Sequence, residues 1–182
     1  METNETPFQA AVKPGLIVGL ISMAVYYLAY FIDSSLLAAA WFGFATLVIS
    51  FVLIIIFGRQ YRAELGGFMS FGSAFNFSFL VLVISGLIGL IGQILLFQVI
   101  DPALPGVLTE AFMKNTLETM EKFGASPDAM DPNMMDEMKK SMEEGFTVMG
   151  QIKSFGMLLI FSAILALILG AILKKKDTST EF

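Results

Sequence analysis

The chain contains no cysteine and no histidine. Disulfide stapling, thiolate nucleophiles, imidazole acid/base work and the usual zinc ligand sets are excluded with them, and cofactor chemistry loses its common anchors. Basic character is scarce too. Eleven Lys and Arg stand against 16 Asp and Glu, a net charge of -5, so the patch that a nucleic-acid backbone requires is missing. The most telling absence is local: the runs Pro14 to Ile32, Leu36 to Gly58, Phe71 to Ile100 and Ser154 to Leu173 hold no Asp, Glu, Lys, Arg or His at all. One of these residues inside a bilayer is the ordinary marker of an ion path or proton relay, and these runs offer none.

What is present is hydrophobic, at 56% of 182 residues with a mean hydropathy of +0.77. A hydrocarbon core of about 30 Å takes roughly 20 helical residues to cross, and each charge-free run meets that length. The pattern predicts an all-α integral membrane four-helix bundle forming a single domain over 1–182, with helices near 14–32, 36–58, 71–100 and 154–173 and a polar insert over 101–153. A signal peptide is the competing reading of the first run, because Ala38, Ala39 and Ala40 resemble small-residue cleavage positions. The run exceeds the roughly 7 to 15 residues of a signal core, and its head carries Glu2 and Glu5 against Lys13 alone, so it reads as the first helix.

Orientation follows from the Lys and Arg residues flanking the spans. Lys13, the pair Arg59 and Arg62, and the run Lys174, Lys175, Lys176 fall on one side, taken as the cytoplasm, which places both termini inside. The Asp33-Ser34-Ser35 link has no basic residue, and the insert holds five Lys against ten acids, so both belong outside. Lys153 is the exception and is accommodated by snorkelling to the interface.

The insert is too long for a structureless loop. Asp101-Pro102 and Leu104-Pro105 stop the third helix, a helix is predicted near Gly106 to Phe123, and Gly124 to Asp131 reads as a turn. Ser126-Pro127 and Asp131-Pro132 each match an N-cap followed by proline at the first helical position, with Asp131 preferred. From Pro132 the helical pattern continues unbroken to Leu173, weakened only by Gly145, Gly150 and Gly156.

Several local patterns invite chemistry. Met113, Met120, Met130, Met134, Met135, Met138, Met142 and Met149 crowd the insert, and thioethers bind soft ions such as Cu(I). Their spacing favours packing: Met135, Met138, Met142 and Met149, extended by Phe146, form a helix seam suited to adaptable partner contacts. The acids Asp128, Asp131, Asp136, Glu137, Glu143 and Glu144 lack the EF-hand spacing and read as a solvated face. Gly15 and Gly19 form G-x-x-x-G, while Ser162, Ala166 and Gly170 form the looser small-residue repeat. Ser85, Gly86, Gly89 and Gln93 mark the third helix with a polar, glycine-lined face, read as a packing surface ahead of a pore lining. That helix is longer than one crossing needs, so it is expected to tilt, kink near its glycines or protrude. The stretch Arg59 to Ser70 reads as amphipathic and surface-lying, with Tyr61 and Phe68 as interfacial anchors and Arg59 and Arg62 facing anionic lipid.

Tyr61-Arg62, Gly67-Phe68-Met69-Ser70-Phe71-Gly72 with Ala74-Phe75, Ile84-Ser85 and Ile100-Asp101-Pro102 together resemble a bacterial family labelled domain of unknown function 4199. The resemblance covers most of the chain. It implies a small four-helix inner-membrane protein with a polar insert before the last helix, and it implies no catalytic residue, since the family has no assigned activity.

The function expected is therefore a non-enzymatic scaffold or accessory subunit of the cytoplasmic membrane, engaging lipid and a membrane-protein partner or a second copy, with no cofactor and no metal. The alternatives are an oligomeric transporter or channel using the Ser85, Gly86, Gly89 and Gln93 face, and a Met-rich soft-metal protein. An enzyme would need an interfacial catalytic group; the candidates are Glu64 and Asp101, and Asp101 is better explained by helix termination.

Overall fold

The structure is a computed structural model that describes residues 6–124 and 131–176. It is all-α, with six helices among the described residues: α1 (Pro7–Ile32), α2 (Ala40–Glu64), α3 (Phe71–Leu95), α4 (Leu104–Lys122), α5 (Pro132–Gly145) and α6 (Val148–Leu173). A 3₁₀ turn, Ser34–Ala38, joins α1 to α2, and a π-helical turn, Leu96–Ile100, extends α3. Among the described residues, four helical stretches are long and apolar enough to cross a membrane: Pro7–Ile32, Ala40–Glu64, Phe71–Ile100 and Val148–Leu173. The α4–α5 hairpin between the third and fourth spans is not apolar.

Helix ends follow local chemistry more closely than hydropathy does. α1 starts seven residues before Pro14 because Thr6-Pro7-Phe8-Gln9 is a capping box: the Thr6 hydroxyl accepts from the Gln9 N–H at 3.4 Å and Gln9 Oε1 accepts from the Thr6 N–H at 3.1 Å. α2 runs six residues past Gly58. It stops where Gly66 and Gly67 take φ of 84° and 91°, with their N–H groups donating to the Ala63 and Arg62 carbonyls in a Schellman closure. α3 passes into a π-helical turn at Leu96–Ile100, where the Asp101 N–H reaches back to the Leu96 carbonyl at 2.8 Å.

The unbroken helix expected from Pro132 to Leu173 is corrected. α5 ends at Gly145 and α6 begins at Val148, because Thr147 turns its hydroxyl back to accept from the Gly150 N–H at 3.0 Å. A Cβ at Gly150 would collide with the Glu144 carbonyl, so the corner needs glycine there. The Asp131 cap is observed, its carboxylate accepting from the Asn133 N–H at 2.9 Å, whereas Ser126-Pro127, Asp128 and Met130 lie outside the described residues.

The chain divides into two compact units. The first comprises 1–23, 46–89 and 155–182. Its core joins Ala11 and Val18 of α1, Ile54 and Tyr61 of α2, Ala74, Phe77 and Val81 of α3, and Leu169 and Leu173 of α6. The second comprises 24–45 and 90–154, with a core of Ala38, Leu96, Phe97, Leu104 and Leu108 ringed by Tyr26, Tyr27, Tyr30, Phe112 and Phe146.

Small residues set the helix separations in the first unit. A Cβ at Gly15 would stand 2.7 Å from Ile84 Cβ, and one at Gly19 would stand 3.0 Å from the Ser85 Cα, so α1 and α3 touch almost backbone to backbone. On α6, Ser162 and Ala166 are buried, and a Cβ at Gly170 would meet the Phe75 backbone nitrogen at 3.3 Å. The surface-lying reading of Arg59 to Ser70 is also corrected. Up to Glu64 this segment is the last part of α2, Tyr61 is buried and stacked on Phe77 at 5.1 Å, and Arg62 Nη1 donates to the Leu173 carbonyl at 3.1 Å. The Tyr61 ring finds a better apolar partner in Phe77 than in the interface.

Candidate functional site

Polar side chains in the second unit cluster where α3 gives way to the hairpin. Asp101 ends the π turn and caps α4, its Oδ1 accepting from the Ala103 and Leu104 N–H groups at 3.2 and 3.1 Å. Its Oδ2 accepts from the Tyr30 hydroxyl at 3.1 Å. Both oxygens are thus engaged in holding α1, α3 and α4 together. Tyr27 adds a second tie from α1, donating to the Gly92 carbonyl at 2.8 Å. Asn115 anchors α4 to the 3₁₀ turn through the Ala38 carbonyl at 3.0 Å.

Phe146, at the α5–α6 corner, is the hub. Its ring meets Phe97 edge-on at 5.1 Å and Phe112 at 6.4 Å, while its carbonyl accepts from both Gln98 Nε2 and Gln151 Nε2 at 3.0 Å. Two amide donors on one carbonyl pin the corner to the π turn on one side and to the start of α6 on the other. The second carboxamide atom of Gln151, Oε1, is buried without a hydrogen-bond partner among the described residues.

Between α4 and α5 runs a groove of about 420 Å³. It is lined by the apolar Met113, Leu117 and Met135 and by the charged Glu110, Lys114, Glu118, Glu121 and Lys139. Lys114 leans toward Glu118 at 3.9 Å across one helical turn, leaving an acidic surplus along the groove.

The proposed methionine seam divides here. Met135, Met138 and Met142 are half-buried on α5 and Phe146 packs into the core, but Met149 sits on α6 and is 62% exposed, because the corner at Phe146 breaks the register. The third-helix face divides as well. A Cβ at Gly86 would stand 2.7 Å from Leu158 Cδ2, Ser85 donates to the Leu82 carbonyl of its own helix, and Gly89 has open space around it. Gln93 is half-buried in the second unit. Glu64 lies exposed at the end of α2. Tyr30, Gln98 and Asn115 carried no sequence signal of their roles; Asp101 did, since Asp before Pro is a helix-start signature as much as a stop.

No curated protein and no solved structure matches the chain. The sequence model of the family described as Protein of unknown function (DUF4199) matches residues 13–175, a stretch that contains the Tyr61-Arg62 pair, the Gly67 to Gly72 lead-in to α3 and the Asp101-Pro102 stop. The chain belongs to that family.

Proposed function

We propose that this chain is a non-enzymatic scaffold or accessory subunit of the bacterial cytoplasmic membrane, with both termini inside and the α4–α5 hairpin outside. Its hairpin receives an amphipathic helix of a partner membrane protein, apolar on one face and basic along one edge. The observation that carries this reading is the groove itself. Met113, Leu117 and Met135 offer adaptable apolar contact, and Glu110, Glu118 and Glu121 exceed the two lysines, so a basic edge is complementary. The hairpin is also tied to the rest of the second unit through Phe146, Asp101 and Asn115, which supports its use as a docking platform.

The test is native mass spectrometry of the complex extracted gently from its own membrane, comparing wild type with a Met113→Glu/Met135→Glu pair. Met134→Glu, at an exposed position outside the groove lining, is the control. Loss of a defined partner in the groove pair alone supports the reading. Unchanged recovery removes the groove as the docking surface, and a homo-oligomer with no other chain puts the transporter or channel reading first.

A further inference from the structure

We propose that Met135, Met138 and Met142 of α5, with Met113 on the α4 side of the groove, are a site of oxidation to methionine sulfoxide, and that the modification releases α5 from α4. What release does to a docked partner rests on the scaffold reading. The release itself does not.

Little holds α5 along its length. Within Pro132–Gly145 the residues that are not exposed are Met135, Met138, Met142 and Gly145, and none is fully buried. Among the described residues no hydrogen bond and no ion pair joins α5 to α4: the bonds between Asp131 and Asn133 are local to the cap, and Lys114 leans to Glu118 of its own helix. Glycine has no side chain to add. The packing of α5 on α4 therefore runs through three thioethers at i, i+3 and i+7, one face of the helix. Beyond Gly145 the attachment changes character, because Phe146 packs on Phe97 and Phe112 and its carbonyl takes two amide donors. Aromatic packing fixes the corner, and methionine alone fixes the helix that leads into it.

Sulfur chemistry makes that attachment reversible. The chain has 12 Met and no Cys, so a two-electron oxidant meets no thiol ahead of the thioethers. Met113 and Met135 line an open groove, which hydrogen peroxide, little larger than water, can enter. The sulfur gives an electron pair to one peroxide oxygen; the O–O bond breaks, an S–O bond forms, and after proton transfer the other oxygen leaves as water. Sulfur is oxidised by two electrons and peroxide is reduced by two. The product carries a strong acceptor where an apolar atom had packed. As carboxylates, Glu110, Glu118 and Glu121 only accept, and Lys114 leans to Glu118, so Lys139 is the one charged side chain of the groove left to donate. The other sulfoxides must find water, which they reach when α5 swings away. Met134 and Met149 are 55% and 62% exposed, so their oxidation uncovers nothing.

The test is hydrogen exchange of the full-length protein in detergent before and after hydrogen peroxide, with sulfoxides located by peptide mass mapping. Sulfoxide at Met135, Met138 and Met142 is expected to bring at least about tenfold faster exchange across Pro132–Gly145, with the first turns of α4, where Leu104 and Leu108 are buried, unchanged. Methionine sulfoxide reductases of both epimer specificities are expected to restore the slow rate. Met135→Leu with Met138→Leu and Met142→Leu, changes close in volume, is expected to abolish the acceleration, whereas Met134→Leu with Met149→Leu is expected to leave it intact. Sulfoxide confined to Met134 and Met149, unchanged exchange once the α5 face is oxidised, or equal acceleration in the triple leucine variant would each overturn the proposal. If the triple variant does not fold, reversal by the reductases in the wild-type chain decides between release and irreversible damage, and failure to reverse overturns it. Partner recovery is read on the same samples: a protein that holds no partner even before oxidation sinks the scaffold reading, while exchange still decides the release of α5.

Discussion

Replacing Gly19 with alanine adds one methyl group at the closest approach of α1 and α3. That carbon would stand 2.7 Å from Ile88 Cδ1, 2.9 Å from Ile88 Cβ and 3.0 Å from the Ser85 Cα. Ile88 Cδ1 can rotate away. Ile88 Cβ and Ser85 Cα are fixed to the α3 backbone, so relief requires the helices to separate by about 0.5 to 1 Å to reach ordinary carbon contact. The cost of such overpacking is about 1–3 kcal/mol. Gly89 on α3 is the control, since nothing lies within 4 Å of its added carbon. There alanine is expected to be neutral or to gain up to about 1 kcal/mol from helix propensity. Unfolding by dodecyl sulfate in mixed micelles, followed by far-UV circular dichroism, measures both. If Gly19→Ala is no less stable than Gly89→Ala, the backbone-to-backbone seam is wrong, and with it the account of how the small residues of α1 position α3.

Phe146→Ala removes the ring that meets Phe97 and Phe112 and is expected to cost about 2–3 kcal/mol, below the ~3–5 of a fully buried phenylalanine because the ring is only half-buried. Hydrogen exchange should rise across Leu104–Lys122, and unchanged protection there would contradict its role as hub. Hydrogen bonds from the Ser35 hydroxyl and then its backbone N–H hold the Asp33 carboxyl below the usual carboxylate range. A depressed folded value means the cap's contribution is present above the unfolded value, about 3.9, and is lost as pH falls through the folded one. Carbon NMR of the Asp33 carboxyl is therefore expected to show a midpoint below that of an unstructured aspartate, and Asp33→Asn should remove the acid sensitivity of the Ser34–Ala38 turn; a midpoint at or above the ordinary value refutes the cap.

The four spans, the polar hairpin, the Asp131 cap and the family motifs were all legible along the chain. Hydropathy sums residue by residue and capping acts within one turn, so neither needs knowledge of the rest of the fold. The Thr6-Pro7-Phe8-Gln9 box was equally local, although the charge at Lys13 drew the predicted start inward to Pro14. Tertiary structure decided which faces meet. Tyr61 carries the same amphipathic ring whether it anchors at an interface or stacks on Phe77, and only the position of α3 separates the two. Met149 keeps seam spacing in the sequence yet leaves the seam, because Thr147 and Gly150 turn the chain between them. Arg62 reaches the Leu173 carbonyl, and Met69 pairs with Lys175, only once the ends of α2 and α6 have come together. Span count and hairpin depend on sums over neighbouring residues, whereas a binding surface depends on contacts between segments far apart in sequence, and those exist only once the helices have packed.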